Sequence, residues 1–137
     1  MSAGYSGRPQ HAKLGLRPGQ RISLDHAPTG WTLAEPPENL TFVPAPEPAD
    51  LIISFFAAAK DLLDRLPELT RRIHPAGALW VSWPRRAAGH TSDITDTIVR
   101  AHALPLGVVD VKIAAIDEHW SGQRYVWRTG NRGTRPP

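Results

Sequence analysis

The sequence has no cysteine, which excludes a disulfide framework and any metal site built on thiolates. Long apolar runs are also missing, because the best one, Leu51 to Ala59, is far shorter than the roughly 20 residues of a membrane-spanning helix. The first ten residues, MSAGYSGRPQ, include no apolar segment like that of a signal peptide. We therefore expect a cytoplasmic protein without a membrane partner.

Recognisable catalytic and cofactor motifs are absent as well. The sequence has no Gly-x-Ser-x-Gly elbow and no phosphate-binding loop. Its six histidines form no i, i+4 pair and no cluster with ligand spacing, so it indicates no metal site. It also indicates no cofactor and no defined catalytic set. Among the histidines, His26, which follows Asp25, is the only candidate for catalysis.

Neither sign of charge dominates, because 16 Lys and Arg stand against 13 Asp and Glu, for a formal net charge of +3. Three arginines, Arg128, Arg132 and Arg135, lie near the C-terminus, and the rest of the chain is nearly neutral. A nucleic-acid partner is therefore not favoured. We interpret residues 1–9 as a flexible arm, 10–128 as a single domain and 129–137 as a disordered basic tail.

Apolar patterning indicates strands that alternate with helices. Leu51 to Phe56 is almost continuously apolar, which is typical of a strand covered on both faces. Lys60 to His74 has apolar residues at helical spacing. We predict an α/β fold, a three-layer Rossmann-like sandwich with a mostly parallel sheet and an antiparallel C-terminal edge hairpin. The other predicted elements are a helix at Gln10–Leu14, strands at Arg21–Leu24, Leu40–Val43 and Ala78–Trp83, a helix from an N-cap at Ser92 to Leu104, and a hairpin of Val108–Glu118 and Gln123–Arg128 around a turn at Trp120–Gly122.

Ligands of open parallel sheets bind outside the carboxyl ends of the strands. The candidate ligand-binding residues at that edge are Asp25, His26, Trp83, Arg85, Arg86, Ser92, Asp117 and Trp120. Two guanidinium groups beside a helix that starts at Ser92 would suit a small anion. Solvated arginines and a simple helix cap are the favoured alternative for that segment.

Two further groups of residues leave alternatives open. Asp110 and Lys112, with Asp117 and Glu118 close behind, would allow acid–base chemistry, but an ion pair or a turn cap is favoured. Five tryptophans are many for 137 residues. We expect Trp80 to lie in the core. The other four, Trp31, Trp83, Trp120 and Trp127, either line a pocket or partner surface or pack the faces of the sheet.

The stretches KLGLRPGQRISL, ADLIISFF and LPELTRRIHPAGALWVSWP, followed by a hairpin, resemble the layout of class I methyltransferases. A closer resemblance is to a bacterial family of small proteins that is classed as a domain of unknown function, which implies a fold but no activity. The segments that carry it are Tyr5-Ser6-Gly7-x-Pro9, Lys13-Leu14-Gly15-Leu16, Gly77 to Pro84, Leu104 to Lys112 and Asp117-Glu118-x-Trp120-Ser121-Gly122.

The chain departs from the methyltransferase pattern where the cofactor would bind. Methyltransferases carry a Gly-x-Gly-type loop after the first strand, which lets the backbone approach the cofactor. Here that place is Asp25-His26-Ala27-Pro28-Thr29-Gly30, with a single late glycine and a proline that lacks an N–H. The acidic residue that binds the ribose in the family has no clear counterpart, and Glu47 is the nearest.

These observations favour a non-catalytic protein that binds a small anionic ligand or a protein partner on a degenerate methyltransferase-like fold. The first alternative is an enzyme, either a reduced S-adenosylmethionine-dependent methyltransferase or another transferase that uses Asp25, His26 and the Arg85-Arg86 loop. The second is a nucleic-acid-binding accessory protein that acts through its arginines. The sequence does not determine the oligomeric state.

Overall fold

A computed structural model of the chain describes residues 9–131. Short 3₁₀ turns lie at Arg86–Ala88, Leu104–Leu106 and Thr129–Asn131. The helices and strands in chain order are α1 (Gln10–Leu14), β1 (Arg21–Asp25), β2 (Thr41–Phe42), β3 (Ala49–Phe55), α2 (Ala59–Arg71), β4 (Ile73–Pro84), α3 (Asp96–Ala103), β5 (Val108–Ala115) and β6 (Trp120–Trp127).

The described strands form one sheet in the order β2-β1-β3-β4-β6-β5. β1 pairs in parallel with β2 and β3, and β3 pairs in parallel with β4. β6 is antiparallel to both β4 and β5. The predicted mostly parallel sheet with an antiparallel C-terminal hairpin is therefore confirmed.

Each face of the sheet is covered by its own layer. On one face α2 and α3 bury a cluster that includes Leu62, Leu66 and Val99. On the other face α1 and the loop between β1 and β2 bury a cluster that includes Leu14 and Leu33. The continuous apolar run of β3 serves both layers, because Ile52 belongs to the first cluster and Leu51 and Ile53 belong to the second. The result is the predicted three-layer Rossmann-like sandwich.

β4 begins earlier than the pattern predicts. Ile73 already pairs with Ala49, and pairing resumes at Leu51 and Ala78 after a register shift. The segment from His74 to Gly77, predicted as the end of the helix, therefore forms a bulge inside the strand. At Gly77 a Cβ atom would lie 2.6 Å from the backbone oxygen of Asp50, so the close approach of β3 and β4 requires glycine there.

The hairpin turn is also displaced from its predicted position. β5 ends at Ala115 and β6 starts at Trp120, so the turn comprises residues 116–119 and not Trp120–Gly122. Ile116 N donates to Trp120 O at 2.8 Å and closes this turn. Gly122 lies within β6, where it makes room for Ile116 and Trp80.

No helix in the part of the chain from 9 to 131 is long and apolar enough to cross a bilayer. Most of the predicted arm at 1–9 and of the predicted tail at 129–137 lies outside the described residues. Only Pro9 of the arm and the turn Thr129–Asn131 of the tail are described.

Candidate ligand-binding site

The direction in which the chain winds reverses between β1 and β3, since β2 lies on one side of β1 and β3 on the other. Doubly wound sheets bind ligands at this switch point, outside the carboxyl ends of the strands. A cleft of about 520 Å³ opens there. We call it the switch-point cleft, and it is lined by His26, Phe55, Phe56, Ala57, Asp61, Asp64, Arg65 and Trp120.

Asp25 links the end of β1 to helix α2 beside the cleft. Its buried carboxylate accepts two hydrogen bonds from Arg65 of α2, from Nη2 at 2.6 Å and from Nε at 3.2 Å. Such a bidentate pair is stronger and more directional than a single bond. Burial raises the pKa of Asp25, but the hydrogen bonds from Arg65 and His26 outweigh that effect and leave the pKa below its usual value. Asp25 is therefore a charged structural anchor between β1 and α2.

His26 has a left-handed backbone conformation, with φ at 60°. Non-glycine residues seldom adopt this conformation, and a strained residue beside a cleft points to function. The ring nitrogen Nδ1 lies 2.9 Å from Oδ2 of Asp25, and the ring packs 4.8 Å from that of Phe56. The turn after β1 thus keeps a glycine-like shape while it directs an oriented imidazole into the cleft.

Three aromatic rings, those of Trp31, Phe55 and Trp120, pack together beside the cleft. The Phe55 ring contacts Trp31 at 4.8 Å and Trp120 at 5.1 Å, both edge to face. This arrangement is favourable for aromatic quadrupoles and leaves indole surface beside the cleft. Two of the tryptophans therefore belong to the candidate site. By contrast, Trp80 is fully buried in the core.

The charge of the switch-point cleft is predominantly negative. Asp61 and Asp64 line it from the first turns of α2, and Asp64 also pairs with the exposed Lys60 at 3.1 Å. The one arginine that lines it, Arg65, already pairs with Asp25 and, through Nη1 at 2.8 Å, with Glu68. A cation between carboxylates and aromatic faces is stabilised by both. The cleft consequently suits a positively charged ligand better than the predicted anion.

A second space adjoins the first, and Ala57 and Trp120 line both. We call it the hairpin cleft, a space of about 550 Å³ whose walls include Pro28, Trp31, Pro84, His90, His119 and Trp120. Asp117 organises these walls. Its Oδ2 accepts from Trp31 Nε1 at 2.7 Å, and its Oδ1 accepts from the backbone N–H groups of His119 and Trp120 at 2.8 and 2.9 Å. Asp117 is thus a turn cap, the structural alternative raised for it.

The predicted anion site at Ser92 lacks the helix terminus on which it depended. α3 starts at Asp96, and its cap is Thr95, whose Oγ1 accepts from Ile98 N at 3.2 Å. Ser92 instead donates to the Ala57 carbonyl at 2.7 Å. The N-cap prediction for Ser92 is wrong, because its Oγ accepts from Ile94 N at 3.1 Å in a local turn and the helix begins only at Asp96.

The two arginines of this loop, Arg85 and Arg86, have different surroundings. Arg85 Nη1 donates to the Glu118 carbonyl at 3.1 Å, so that side chain braces the hairpin turn. Arg86 lines a small cavity of about 250 Å³ with Trp83 and Ser92. Asp96 shares this cavity, and its carboxylate opposes the binding of an anion there.

Six of the eight predicted residues line one of these adjoining spaces, whereas Asp25 and Arg85 line none of them. His26 and Trp120 line the switch-point cleft, with Asp25 beneath His26. Asp117 and Trp120 belong to the hairpin cleft, and Trp83, Arg86 and Ser92 belong to the small cavity.

The residues Asp110 and Lys112 do not form an acid–base pair. Asp110 lies 3.4 Å from Arg100, and Lys112 donates to the Lys13 carbonyl at 3.1 Å.

Sequence reasoning missed the contribution of α2 to the site, namely Asp61, Asp64 and Arg65. The available signal was topological, because the first turns of a helix that follows a parallel strand lie at the carboxyl edge of the sheet. The spacing of these three residues places them on the polar side of α2, away from Leu62 and Leu66. Within residues 9–131, no group of three or more His, Asp or Glu side chains is arranged to hold a metal ion.

No protein-family model and no curated protein matches the chain, so the resemblance to the bacterial family remains a prediction. Solved structures do match. A TehB-like SAM-dependent methyltransferase from Corynebacterium glutamicum superposes with a TM-score of 0.59 at 10% identity, over 92% of this chain and 91% of the other.

Two further structures give the same result. The ribosomal protein L11 methylase of Lactobacillus delbrueckii subsp. bulgaricus has a TM-score of 0.57 at 10% identity, over 87% of this chain and 75% of that one. The fibrillarin pre-rRNA processing protein of Methanococcus jannaschii has a TM-score of 0.55 at 14% identity, over 90% and 70%. At these identities the similarity concerns the fold alone. The chain has a Rossmann-like, methyltransferase-like fold.

Proposed function

We propose that the switch-point cleft binds S-adenosylmethionine or a closely related cationic adenosyl compound. The observation that carries this proposal is the acidic and aromatic lining of the cleft at the switch point of a methyltransferase-like sheet. S-adenosylmethionine combines an aromatic base with a sulfonium, an ammonium and a carboxylate group, and its net charge is positive. The ligand class thus differs in charge from the small anion that the sequence favours.

The residues present fit such a molecule. Asp61 and Asp64 would hold the positively charged groups, and the ring surfaces of Phe56 and Trp120 offer contacts for a base or a sulfonium. When bound, S-adenosylmethionine supplies an electrophilic methyl group. The residues of this chain bind and orient it, and His26, held by Asp25, is the group placed to accept a proton.

Binding is tested by thermal shift and calorimetry with S-adenosylmethionine, S-adenosylhomocysteine and methylthioadenosine. A ligand at a hundred times its dissociation constant stabilises the fold by about 2.7 kcal/mol, which raises the melting temperature by roughly 8–12 °C at this size. We expect this shift with S-adenosylmethionine. In the variant D61N/D64N its affinity should fall about tenfold or more, because two favourable charges are lost.

The matched control is Asp110→Asn, which removes a carboxylate far from the cleft, one that pairs with Arg100. This variant should bind like the wild type. The proposal fails if no adenosyl compound binds, or if D61N/D64N binds S-adenosylmethionine as tightly as the control does.

A second candidate, binding without catalysis, is favoured by the turn after β1. That turn has one late glycine, and Pro28 removes a backbone donor, so the family's backbone contacts to the cofactor are reduced. Release of S-adenosylhomocysteine from bound S-adenosylmethionine in the presence of acceptors separates the two candidates. Tight binding with no release in any acceptor mixture supports the non-catalytic candidate.

Nucleic-acid binding has the least support. The carboxylates of the cleft repel phosphate, and the arginines Arg132 and Arg135 lie outside the described residues. That hypothesis predicts binding that weakens steeply with salt. A bacterial origin, a cytoplasmic location and a single domain over residues 10–128 remain proposals, with the absence of cysteine in support of a reducing compartment.

A further inference from the structure

The hairpin cleft shares Ala57 and Trp120 with the switch-point cleft, and its other walls are not used by the proposed function. Trp31 and Trp120 each contact the Phe55 ring, at 4.8 and 5.1 Å. Pro28 and Pro84 add rigid apolar surface. Concave sites with apolar and aromatic walls and few polar groups are typical of small-molecule binding, and indole walls favour planar rings.

One carboxylate fixes the geometry of these walls before any ligand arrives. Asp117 accepts hydrogen bonds from Trp31 Nε1 and from the backbone N–H groups of His119 and Trp120. The loop before β2 and the β5–β6 turn are thereby held together across 86 residues of sequence. Preorganised walls raise affinity because less ordering accompanies binding.

Besides Thr29 and Asp117, two imidazoles that contact each other line the cleft. His90 Nε2 lies 3.1 Å from His119 Nδ1, and both side chains are exposed. In a neutral pair one ring donates this hydrogen bond and the other accepts it. The donating ring then has an acceptor as its second nitrogen, and the accepting ring has an N–H as its second nitrogen. Whichever tautomer forms, the pair offers one donor and one acceptor.

The second nitrogen of each ring donates or accepts according to the tautomer of the pair. A hydroxyl group suits either nitrogen in either state, because it both donates and accepts. A carboxylate only accepts, and an ammonium group only donates. We propose that the hairpin cleft binds a planar aromatic compound that carries a hydroxyl group, with the ring against Trp31 and Trp120 and the hydroxyl on the His90–His119 pair. This inference goes beyond the proposed function and does not depend on the identity of the ligand in the switch-point cleft.

The experiment uses 2-naphthol as the probe with the full chain. Two comparison compounds each lack one recognised feature: 2-methoxynaphthalene has no hydroxyl proton, and decahydro-2-naphthol has no aromatic face. Calorimetry should show that 2-naphthol binds about tenfold more tightly than either. In nitrogen-15 spectra the indole signals of Trp31 and Trp120 should shift, whereas that of Trp127, whose Nε1 donates to the Ile73 carbonyl in the core, should not.

Substitutions test which residues contact the hydroxyl group and which contact the aromatic ring. H90A/H119A should bind 2-naphthol no better than 2-methoxynaphthalene, and Trp31→Leu should weaken both. His102→Ala is the matched control, since it removes an exposed histidine of α3 that bonds to the Ile98 carbonyl, and it should bind as the wild type does. D61N/D64N should also bind 2-naphthol normally, which separates this site from the switch-point cleft.

The proposal is overturned if 2-naphthol shows no saturable binding below about 1 mM. It is equally overturned if the three compounds bind alike, if the shifted indole signals belong to other tryptophans, or if His102→Ala weakens binding as much as H90A/H119A. Failure of S-adenosylmethionine to bind the wild type would contradict the proposed function and leave this result unaffected.

Discussion

The carboxylate of Asp25 joins three parts of the molecule at one point, the end of β1, the turn that follows it and helix α2. Arg65 and His26 both bond to it, and Nη1 of the buried Arg72 lies 3.9 Å away. A buried charge with such partners is costly to replace, because the partners are left without their counter-charge. The stability of this end of the sheet should therefore depend on a single ionisable group.

Asp25→Asn should lower the free energy of unfolding by about 3 kcal/mol at pH 7. Arg65 then keeps only Glu68 as an ion-pair partner, and the buried Arg72 loses the carboxylate 3.9 Å from its Nη1. The pKa of Asp25 in the folded state lies below its unfolded value. Its charge-dependent stabilisation is thus fully present above about pH 4 and is lost as the pH falls through the folded-state pKa. The difference between wild type and variant, measured by urea unfolding from pH 7 to pH 3, should narrow below about pH 4.

The control for this prediction is Asp110→Asn, whose partner Arg100 is well exposed. Exposed pairs contribute at most about 1 kcal/mol, so the control should lose far less stability at pH 7. A wild-type-minus-D25N difference that stays constant or grows between pH 5 and pH 3 would contradict the assigned role of the Asp25 charge.

The left-handed backbone of His26 leads to a prediction about two small replacements. Neither His26→Ala nor His26→Gly keeps the ring, so they differ only in backbone cost. Because φ is 60°, the glycine variant should be more stable than the alanine variant by about 1 kcal/mol in urea unfolding.

The same comparison at Lys60 in the first turn of α2 should give the opposite order. There alanine is favoured over glycine by about 0.5–1 kcal/mol. Equal stabilities for the two His26 variants would show that the turn does not require the left-handed conformation.

At the scale of elements, local patterns predict most of the fold. The helix at Gln10–Leu14 and its glycine stop are confirmed, with Gly15 at φ 79°. The predicted strand and helix around Leu51–His74 correspond to β3 and α2, with boundaries displaced by one to three residues. Period and capping are properties of a few neighbouring residues, so they can be read from the chain itself.

The errors arise where a distant contact decides the structure. His74 to Gly77 looks like a helix stop, yet pairing with Ala49 and Leu51 of β3 makes it a bulge. The candidate site follows the same rule. The sequence alone singles out Asp25 and His26 because they are neighbours in the chain, whereas Arg65 reaches Asp25 across 40 residues, which no local pattern indicates.

Gly122 in β6 allows the two strands of the hairpin to pack over Trp80. A Cβ atom at this position would lie 2.5 Å from Ile116 Cδ1 and 2.9 Å from the Trp80 ring. Gly122→Ala should therefore cost about 1–3 kcal/mol in free energy of unfolding. In an Ile116→Ala background the same change should cost clearly less, since the nearest obstructing atom is gone. A double-mutant cycle by urea unfolding measures this coupling.

Gly77→Ala provides the contrast within β4. Its obstacle is the backbone oxygen of Asp50 at 2.6 Å, which no side-chain truncation removes. Its cost should be the same with Ile116 or Ala at position 116. A Gly122→Ala cost that does not change in the Ile116→Ala background would contradict the packing argument.

At the scale of the whole molecule, the sheet separates two unequal layers. One layer consists of α2 and α3, and the other of the five-residue α1 and irregular chain. Both clefts open at the carboxyl edge, where the two layers meet around Phe55, Trp120 and the start of α2. The thinner layer supplies Trp31 to the hairpin cleft, so the integrity of that layer determines whether this cleft keeps its shape.

The thinner layer should unfold together with the rest of the molecule, because it is attached through the core strands. Leu14 is fully buried, and its carbonyl accepts a hydrogen bond from Trp80 Nε1 at 2.9 Å. Leu62 is its equal in size and burial in the other layer. Leu14→Ala and Leu62→Ala should each cost about 2–5 kcal/mol. Each should shift a single transition without a change of slope in urea, with tryptophan fluorescence and circular dichroism coincident. If Leu14→Ala produced two transitions, or left the main transition unmoved, the layer that carries α1 would be an independent unit, and the hairpin cleft would be open whenever that unit was unfolded.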